Sequence, residues 1–274
     1  MFTWLFGKVL NPGNPTPSSS ASATAAHLLR AWRGIEGPFT SHNSGRVDYA
    51  RLAASSAYTQ AKGAAMALHT VDPAKLNHAD RLAFWLNVYN ALVIHAIIDT
   101  RAGGGTWPYP GCFRRTAYMI GEWATSLDEI EHGLLRGNLL GRVQPFGILL
   151  PWDARQAWRV RPADPRIHFA LNCGAASCPP IRSFEGVRID EQLDQAAHGF
   201  INGPAVVIDP AARTLSLSQL FRWYARDFGG REGIRTLLAR HLTDSDAKEA
   251  LLADWDAYRW VYLSYDWGST EQSA

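Results

Sequence analysis

One segment, residues 80–100, constrains the fold of this chain more strongly than any other part of its sequence. Its apolar side chains recur at intervals of three and four residues, which is the spacing of a single helical face. The positions that follow this spacing are Leu82, Trp85, Leu86, Tyr89, Leu92, Val93 and Ala96. Glycines at positions 103–105 follow the segment, as is typical after a helix C-terminus. The sequence therefore predicts an amphipathic helix over residues 80–100.

The other segments are mostly helical, with a few strands late in the chain. Further helices are predicted at residues 23–35, 47–68, 126–136, 190–201, 218–228, 231–241 and 245–255. Strands are predicted at residues 167–171, 205–208, 214–217 and 258–265, and an irregular loop at residues 106–124. Because the strands do not alternate with helices in a βαβ rhythm, we expect an α+β fold: a helix-rich single domain with a small, mostly antiparallel sheet.

Length and composition set the outer limits of the fold. The chain has 274 residues, and at roughly 150 residues per domain it could form one large domain or two small ones. Hydrophobic residues make up 47% and charged residues 19%, which is the composition of a folded protein. We interpret residues 1–22 as a flexible tail, residues 23–267 as one domain and residues 268–274 as a second tail.

The charge balance and the hydropathy pattern argue against two classes of partner. The chain has 27 Lys and Arg against 25 Asp and Glu, a formal charge of +2, so it has no strong positive field for nucleic acid. No stretch reaches the roughly 18 apolar residues of a membrane-spanning helix. We expect a small molecule or a peptide as the partner, and the sequence leaves the oligomeric state open.

The apolar residues 1–10 match a secretory signal only in part. A signal begins with a basic region, but here no Lys or Arg precedes the apolar run, and Gly7 and Lys8 interrupt it. We therefore expect a cytoplasmic protein. The small residues between positions 18 and 26 resemble a cleavage region and leave export as the alternative.

Residues 168–180 contain the densest group of chemically active side chains. Cys173 ends the predicted strand and begins a loop of small residues, which would present its thiol at a strand edge. Backbone amides near Gly174 would then be available to stabilise an oxyanion. A thiolate needs a base or a positive field nearby. His168 would point away from Cys173 on a flat strand, so His132 is the better candidate base.

Cys178 allows two other interpretations of the same loop. Free cysteines are among the most buried residues, so Cys173 and Cys178 could be inert members of the core. The flexible residues between them also permit a reversible disulfide.

The predicted helix over residues 126–136 carries a second group of polar side chains. Ser126 and Glu129 have the spacing of a capping box at its start. His132 and Arg136 are four residues apart and share a face, which could bind an anionic or carbonyl group or could simply be solvated. Glu131 lies about 100° around the helix from His132, so we expect it to point elsewhere.

Asn87 and Asn90 interrupt the apolar helix of residues 80–100. Asparagine is unfavourable inside a helix because its amide competes for backbone hydrogen bonds. The pair therefore predicts a specific role for these two side chains: they either bridge to a neighbouring loop or line a site.

A metal site is a competing interpretation. His132, His168, Cys173 and Cys178 are all zinc ligands by residue type. The two cysteines are spaced widely for such a site, and no second Cys or His pair accompanies them. Phosphate-binding, nucleophile-elbow and His-Glu-x-x-His motifs are missing from the sequence. We therefore expect no bound metal and no cofactor.

Three segments together resemble the domain of unknown function 547 family. They are residues 81–95, residues 126–136, and residues 164–174 with Ser177-Cys178-Pro179-Pro180. The family-like core spans residues 76–267; Tyr265-Asp266-Trp267 is similar to the family's closing motif but then departs from it at Gly268. The resemblance implies no particular activity. It implies that the residues at motif positions form one site: His132, Arg136, His168, Cys173 and Cys178.

The leading hypothesis is a thiol-dependent hydrolase or acyltransferase that acts on an amide or a (thio)ester. Cys173 is the predicted nucleophile, His132 the base and Glu131 the residue that orients a neighbour. The predicted substrate-binding residues are Arg136, Asn87, Asn90, His168 and Cys178. Two alternatives stay open: a non-catalytic binding or scaffold domain whose motifs form a structural polar network, and a zinc site.

Overall fold

The computed structural model describes residues 7–13, 20–41, 46–138 and 148–268, and it confirms the helix-rich α+β class. The α-helices are α1 (Ala21–Phe39), α2 (Tyr49–Ala53), α3 (Ser56–Met66), α4 (His78–Ala102), α5 (Cys112–Arg115), α6 (Ile189–Ile201), α7 (Gln219–Trp223), α8 (Gly230–His241) and α9 (Asp246–Ala253). The strands are β1 (Lys8–Val9), β2 (Thr116–Ile120), β3 (Trp123–Ser126), β4 (Val206–Asp209), β5 (Thr214–Leu217) and β6 (Arg259–Tyr262). A π-helix spans Glu129–Leu135.

The strands form two small sheets of mixed direction. In the first sheet β1 is parallel to β2 and β2 is antiparallel to β3. In the second, β4 and β5 form the predicted hairpin, with Val206 opposite Leu217, and β6 is parallel to β5. The sequence predicted one mostly antiparallel sheet, because a parallel partner that lies far along the chain leaves no local signal.

The prediction of an irregular loop over residues 106–124 is wrong for its second half. Thr116–Ile120 is β2, and it turns at Gly121 into β3. Gly121 has a φ of 53°, which favours glycine. The Gly, Pro and aromatic residues of this segment are typical of a loop, so the sequence did not indicate this strand. The strand is almost entirely buried.

The chain divides into two compact units. The first unit consists of Met1–Ala163, Leu171–Ile189 and Trp267–Ala274, and the second of Asp164–Ala170 and Asp190–Asp266. The prediction of one domain over residues 23–267 with a tail at each end stays a prediction.

The first unit is built around α4. Asn77 caps its start, because the Asn77 Oδ1 accepts a hydrogen bond from the Asp80 N–H at 2.9 Å. Every residue from 82 to 98 is buried, so the helix is enclosed on all sides and not only along the apolar face that the spacing predicted. Elements that pack on it include α1, α2, β2, the π-helix and the turn Gly186–Arg188. Each polar side chain inside α4 must therefore find its partner within the protein.

The same helix is long enough and, on average, apolar enough to cross a membrane, although Asn87, Asn90 and His95 interrupt its apolar run. Its most apolar stretch has a mean hydropathy of 1.4, and 89% of that stretch is buried inside the protein. This burial identifies α4 as a core helix of the first unit.

Part of the predicted N-terminal tail is attached to the first unit. Lys8–Val9 forms β1, and the Lys8 Nζ lies 2.6 Å from the Asp99 carboxylate. Asn11 is buried and donates a hydrogen bond to the carbonyl oxygen of Ala65 at 2.8 Å. Residues 1–6 and 14–19 of the predicted tail lie outside the residues that the structure describes.

The second unit has its own apolar core. The core residues come from the 3₁₀ helix Pro165–Phe169, α6, the second sheet and the segments that follow it, and they include Phe169, Ala197, Ile201, Leu215, Leu217, Phe221, Phe228, Ile234, Leu238, Leu251 and Trp255. The sequence prediction for its helices is largely confirmed, although α7 ends at Trp223 instead of residue 228.

Candidate functional site

A π-helix replaces the α-helix predicted over residues 126–136. The capping box is present: the Ser126 N–H donates to the Glu129 carboxylate at 2.8 Å, and the Glu129 N–H donates to the Ser126 hydroxyl at 3.3 Å. Further along, the Arg136 N–H donates to the carbonyl oxygen of Glu131 at 2.9 Å, five residues back. The π-helix is rare and occurs frequently at functional sites.

The wider π-helical turn brings together three residues that the sequence singled out. The Arg136 Nη1 lies 2.9 Å from the His132 Nδ1. The Glu131 Oε1 lies 3.5 Å from the same nitrogen, so the expectation that Glu131 points away from His132 is wrong. Arg136 and Glu131 are nearly enclosed, whereas the His132 side chain is 30% exposed. His132 is therefore the most exposed member of this group.

Tyr89 of α4 fixes the acidic member of this group. Its hydroxyl donates a hydrogen bond to the Glu131 Oε2 at 3.1 Å. Sequence reasoning placed Tyr89 only on the apolar face of α4. A buried tyrosine usually needs a partner for its hydroxyl, and that rule was the available signal.

Asp128 adds a further carboxyl group at the start of the π-helix. Burial raises the pKa of Asp128, and the negative charges of Glu131 and Glu129 raise it further. His132 and Arg114 oppose this increase in the pKa. Asp128 also lies near the buried Cys112, whose own pKa is raised, mainly by burial.

Cys173 and Cys178 form a disulfide with a Cα–Cα distance of 6.3 Å. Both residues are half-buried, and the Cys173 N–H lies 3.1 Å from the Cys178 Sγ. A disulfide, which the sequence permitted, is therefore the arrangement found. In this form neither sulfur is a nucleophile, and the prediction that Cys173 attacks a substrate applies to the reduced form.

A buried frame of hydrogen bonds holds the cysteine loop. The Asn172 N–H donates to the Asn90 Oδ1 at 3.0 Å, and the Asn172 side chain donates to the Pro179 carbonyl oxygen at 2.7 Å. The Trp107 indole donates to the Cys173 carbonyl oxygen at 2.8 Å. Asn90 and Asn172 are 0% and 1% exposed. The backbone around Cys173 is thus fixed in position from both sides.

Gly174 is placed differently from the sequence expectation. Its N–H donates to the Asn172 Oδ1 at 2.8 Å, so this amide is already occupied and is a poor donor to an oxyanion. Gly174 has a φ of 87°, and a Cβ there would lie 2.7 Å from Ile97 and 2.9 Å from Trp107. Glycine is needed for backbone conformation and for close packing, not for the approach of a substrate carbonyl.

Asn87 bridges to a different loop from Asn90. Its amide exchanges two hydrogen bonds with the backbone of Phe184, at 2.8 and 2.9 Å. Asn87 also lines a cleft of about 200 Å³ that α1, α4 and residues 184–187 enclose. Both asparagines thus bridge to loops, and Asn87 is the one that also borders an open space.

His168 belongs to the second unit, and its predicted strand is wrong. Pro165–Phe169 is a 3₁₀ helix capped by the side chain of Asp164. An apolar run of this length does not distinguish a strand from a short helix by periodicity alone. The His168 Nε2 lies 2.8 Å from the Asp227 Oδ2, and the ring stacks on Tyr224 at 3.7 Å. The Asp227 side chain is 6% exposed, and no motif in the sequence indicates that it pairs with His168.

The candidate residues thus form separate groups. The first unit contains Glu131, His132 and Arg136 together, and Asn90 with the two cysteines. Successive residues of α4 connect these groups, because Tyr89 holds Glu131 and Asn90 holds the cysteine loop. His168 pairs with Asp227 in the second unit.

The metal hypothesis has no donor set among the residues that the structure describes. Within residues 7–13, 20–41, 46–138 and 148–268, no three His, Cys, Asp or Glu side chains are placed to hold a metal ion. Zinc binds a cysteine as its thiolate, and the sulfurs of Cys173 and Cys178 are bonded to each other.

Comparison with known proteins gives one match. No curated protein matches the chain, and no solved structure matches it. A family model described as a protein of unknown function, DUF547, matches residues 73–201, a little under half of the chain. The match includes α4, the π-helix, the cysteine loop and all eight predicted site residues. Residues 73–201 are therefore similar to the DUF547 family, as the sequence motifs indicated.

Proposed function

We propose that the reduced protein is a thiol-dependent hydrolase or acyltransferase in which Cys173 attacks the carbonyl carbon of an amide or a (thio)ester. The observation that carries this proposal is the placement of Cys173: its side chain is half-buried, but the backbone on either side of it is held by buried Asn90, Asn172 and Trp107. A nucleophile on a rigid backbone loses little entropy when it aligns with a substrate.

The reaction needs only the substrate and water. Cys173 reacts as the thiolate after its thiol proton passes to a base or to water. Its sulfur forms a bond to the carbonyl carbon, and the carbonyl electron pair moves to oxygen. The returning pair expels the amine, alcohol or thiol, which takes up a proton. Water or a second acceptor then cleaves the acyl–sulfur bond and releases the free thiol.

The polar group on the π-helix fits the same chemistry. Glu131 lies against the His132 ring and is itself held by Tyr89, which supports the predicted orienting role of Glu131. Tyr89 and Asn90 are neighbours on α4, so one rigid helix positions both the π-helix group and the cysteine loop. We assign both groups to one site because both consist of residues at family-motif positions within the matched residues 73–201.

The disulfide makes the proposed activity dependent on redox conditions. Cytoplasmic glutathione and thioredoxin keep most thiols reduced, and we place the protein in that compartment. After export, the pair would remain oxidised and the nucleophile would be blocked.

The proposal is tested with p-nitrophenyl acetate as a generic acyl donor. The protein is first reduced, and the acetylated residue is then identified by mass spectrometry. We expect acetylation of Cys173 in the wild type and in Cys178→Ser, and none on the cysteines of Cys173→Ser. Reoxidation of the wild type should abolish it and reduction should restore it.

Cys112 supplies the internal control. It is buried and lies outside the disulfide, so Cys112→Ser should leave the acetylation rate unchanged. If iodoacetamide labels all three reduced cysteines at the same slow rate, Cys173 is not an activated nucleophile and the proposal is wrong.

A scaffold function is the second candidate, because Asn87, Asn90 and Tyr89 each bond to another segment of the first unit. In that case the motifs mainly stabilise the fold. His132→Ala and Cys173→Ala would then lower the melting temperature by several degrees without any acetylation being seen in the wild type. Intact stability in both variants would contradict this alternative.

A further inference from the structure

We infer that Arg136 fixes the proton of His132 on Nε2, so that His132 acts in the proposed reaction as a hydrogen-bond donor to the substrate carbonyl oxygen and not as the base. This inference deepens the proposed function and depends on it for the role in the reaction. The position of the proton is a separate property that can be measured without any substrate.

The contact between Arg136 and His132 determines which ring nitrogen carries the proton. The Arg136 Nη1 lies 2.9 Å from the His132 Nδ1. A guanidinium group can only donate hydrogen bonds and is always charged in proteins. The Nδ1 must therefore accept with its lone pair, and a neutral imidazole ring then has its proton on Nε2.

Glu131 lies near the same nitrogen and favours the opposite tautomer, with the proton on Nδ1. A carboxylate only accepts, so Glu131 would pair with a protonated Nδ1. Its Oε1 is 3.5 Å from that atom, which is long for a hydrogen bond, and its Oε2 is held by the Tyr89 hydroxyl. The contact with Arg136 is the shorter one. In the structure the Nδ1 therefore accepts a hydrogen bond from Arg136.

The position of the proton decides what His132 can do. With Nδ1 occupied and Nε2 protonated, the ring presents an N–H to a substrate and has no lone pair to take the thiol proton of Cys173. The proton of Cys173 then passes to water. A neutral histidine that donates to a developing oxyanion is an established catalytic arrangement.

Two backbone amides of the cysteine loop already have acceptors within the protein. The Gly174 N–H is bonded to Asn172, and the Ala176 N–H is bonded to the carbonyl oxygen of Gly268 at 2.7 Å. These amides are therefore occupied. The His132 side chain is partly exposed and is held rigidly by Arg136, so it can supply a preorganised donor. His132 is thus the donor to substrate, and Arg136 is a positioning residue.

The first experiment reads the tautomer directly. ¹⁵N-histidine-labelled protein is studied by long-range ¹H–¹⁵N correlation at mildly alkaline pH, and the His132 signals are assigned from their loss in His132→Gln. We expect an Nε2–H tautomer in the wild type and in Arg136→Lys, which keeps a donor. In Arg136→Met the proton should move to Nδ1, toward Glu131.

Matched variants separate this effect from a general disturbance. Arg159 donates to the carbonyl oxygen of Gly137 and not to His132, so Arg159→Met should leave the tautomer unchanged. Glu131→Gln should also leave it unchanged, because the Arg136 bond remains. An Nδ1–H tautomer in the wild type overturns the inference, whether or not Arg136→Met folds. The same tautomer in folded Arg136→Met as in the wild type also overturns it.

The second experiment tests the role of His132 in the reaction. Glutamine can place an N–H near the position of Nε2–H, but it is not a base, and leucine supplies neither function. In acetylation of reduced Cys173 by p-nitrophenyl acetate, His132→Leu should lose about 100-fold in rate, while His132→Gln should keep most of it. Equal losses in the two variants would assign His132 as the base and refute the donor role. If wild-type Cys173 is not acetylated at all, the proposed function fails, and the donor role fails with it.

Discussion

The backbone N–H of Asn172 donates a hydrogen bond to the side chain of Asn90 at 3.0 Å, and both residues are almost completely buried. This bond ties the residue that precedes Cys173 to the middle of α4. It explains why a polar side chain occupies a helix position that is enclosed on all sides.

Asn90→Ala should therefore destabilise the protein and also loosen the cysteine loop. The substitution leaves the buried N–H of Asn172 without its acceptor, which costs about 1–3 kcal/mol of unfolding free energy. The mobile loop should then expose the disulfide, so that dithiothreitol reduces it faster. Urea unfolding and the rate of reduction measure the two effects.

Asn87→Ala is the matched control for this prediction. Asn87 is also buried in α4 and also bonds to backbone atoms, but those atoms belong to Phe184. We expect a similar loss of stability and no change in the rate of disulfide reduction. Equal acceleration in both variants would mean that the effect follows from stability alone.

The disulfide predicts a definite thiol count. Fully unfolded protein purified without reductant should show one free thiol, that of Cys112, and all three after reduction. Cys178→Ser opens a loop of about six residues, for which the loop-entropy relation gives a loss of about 2 kcal/mol in unfolding free energy relative to the oxidised protein. Three free thiols in unreduced protein would show that Cys173 and Cys178 are both reduced in the purified protein.

Local signals determined how much of this structure was predictable. The capping box at Ser126 and the hairpin of β4 and β5 are specified by residues close together in sequence, and both are found. The parallel pairing of β1 with β2 joins residues more than a hundred positions apart and has no such signal. The 3₁₀ helix at Pro165 was misread because a short apolar run fits two structures.

The candidate site shows the same division. Its cysteines, His132 and Arg136 are evident from residue type and spacing. The direction of the Glu131 side chain is not evident from spacing. The angle of about 100° between neighbouring residues applies to an α-helix, whereas this segment is a π-helix. Trp107 and Asp227 were missed because each acts through a tertiary contact, with Cys173 and with His168.

His95 predicts a pH dependence of stability in the first unit. Burial lowers the pKa of His95 from 6.5 to about 4, with Lys62 and Lys8 also lowering it and Asp99 opposing. The unfolded chain therefore takes up the proton first as the pH falls. The contribution of neutral His95 is complete above its unfolded pKa of 6.5 and is lost toward pH 4. The loss over that range is about 3 kcal/mol.

Urea unfolding of the wild type and His95→Gln at neutral and acidic pH measures this contribution to the unfolding free energy. The variant should lose less stability on acidification, because its residue 95 does not titrate. His78→Gln is the control, since His78 lies exposed at the start of the same helix and should keep the wild-type dependence. Identical pH profiles for wild type and His95→Gln would contradict the assignment.

Gly174 predicts that the cysteine loop tolerates no side chain at this position. Its φ of 87° costs an alanine roughly 1–2 kcal/mol, and the new Cβ would also meet Ile97 at 2.7 Å and the Trp107 indole at 2.9 Å. Gly104→Ala has a similar φ of 76° but open space around it, so it measures the backbone cost alone. We expect Gly174→Ala to lower the unfolding free energy by more than Gly104→Ala, by about 1–3 kcal/mol from overpacking. The double variant Gly174→Ala/Ile97→Val should recover part of this difference, because it removes the methyl group that the new Cβ meets. Equal losses in the two glycine variants would show that the loop shifts freely, which would also weaken the case for a preorganised Cys173.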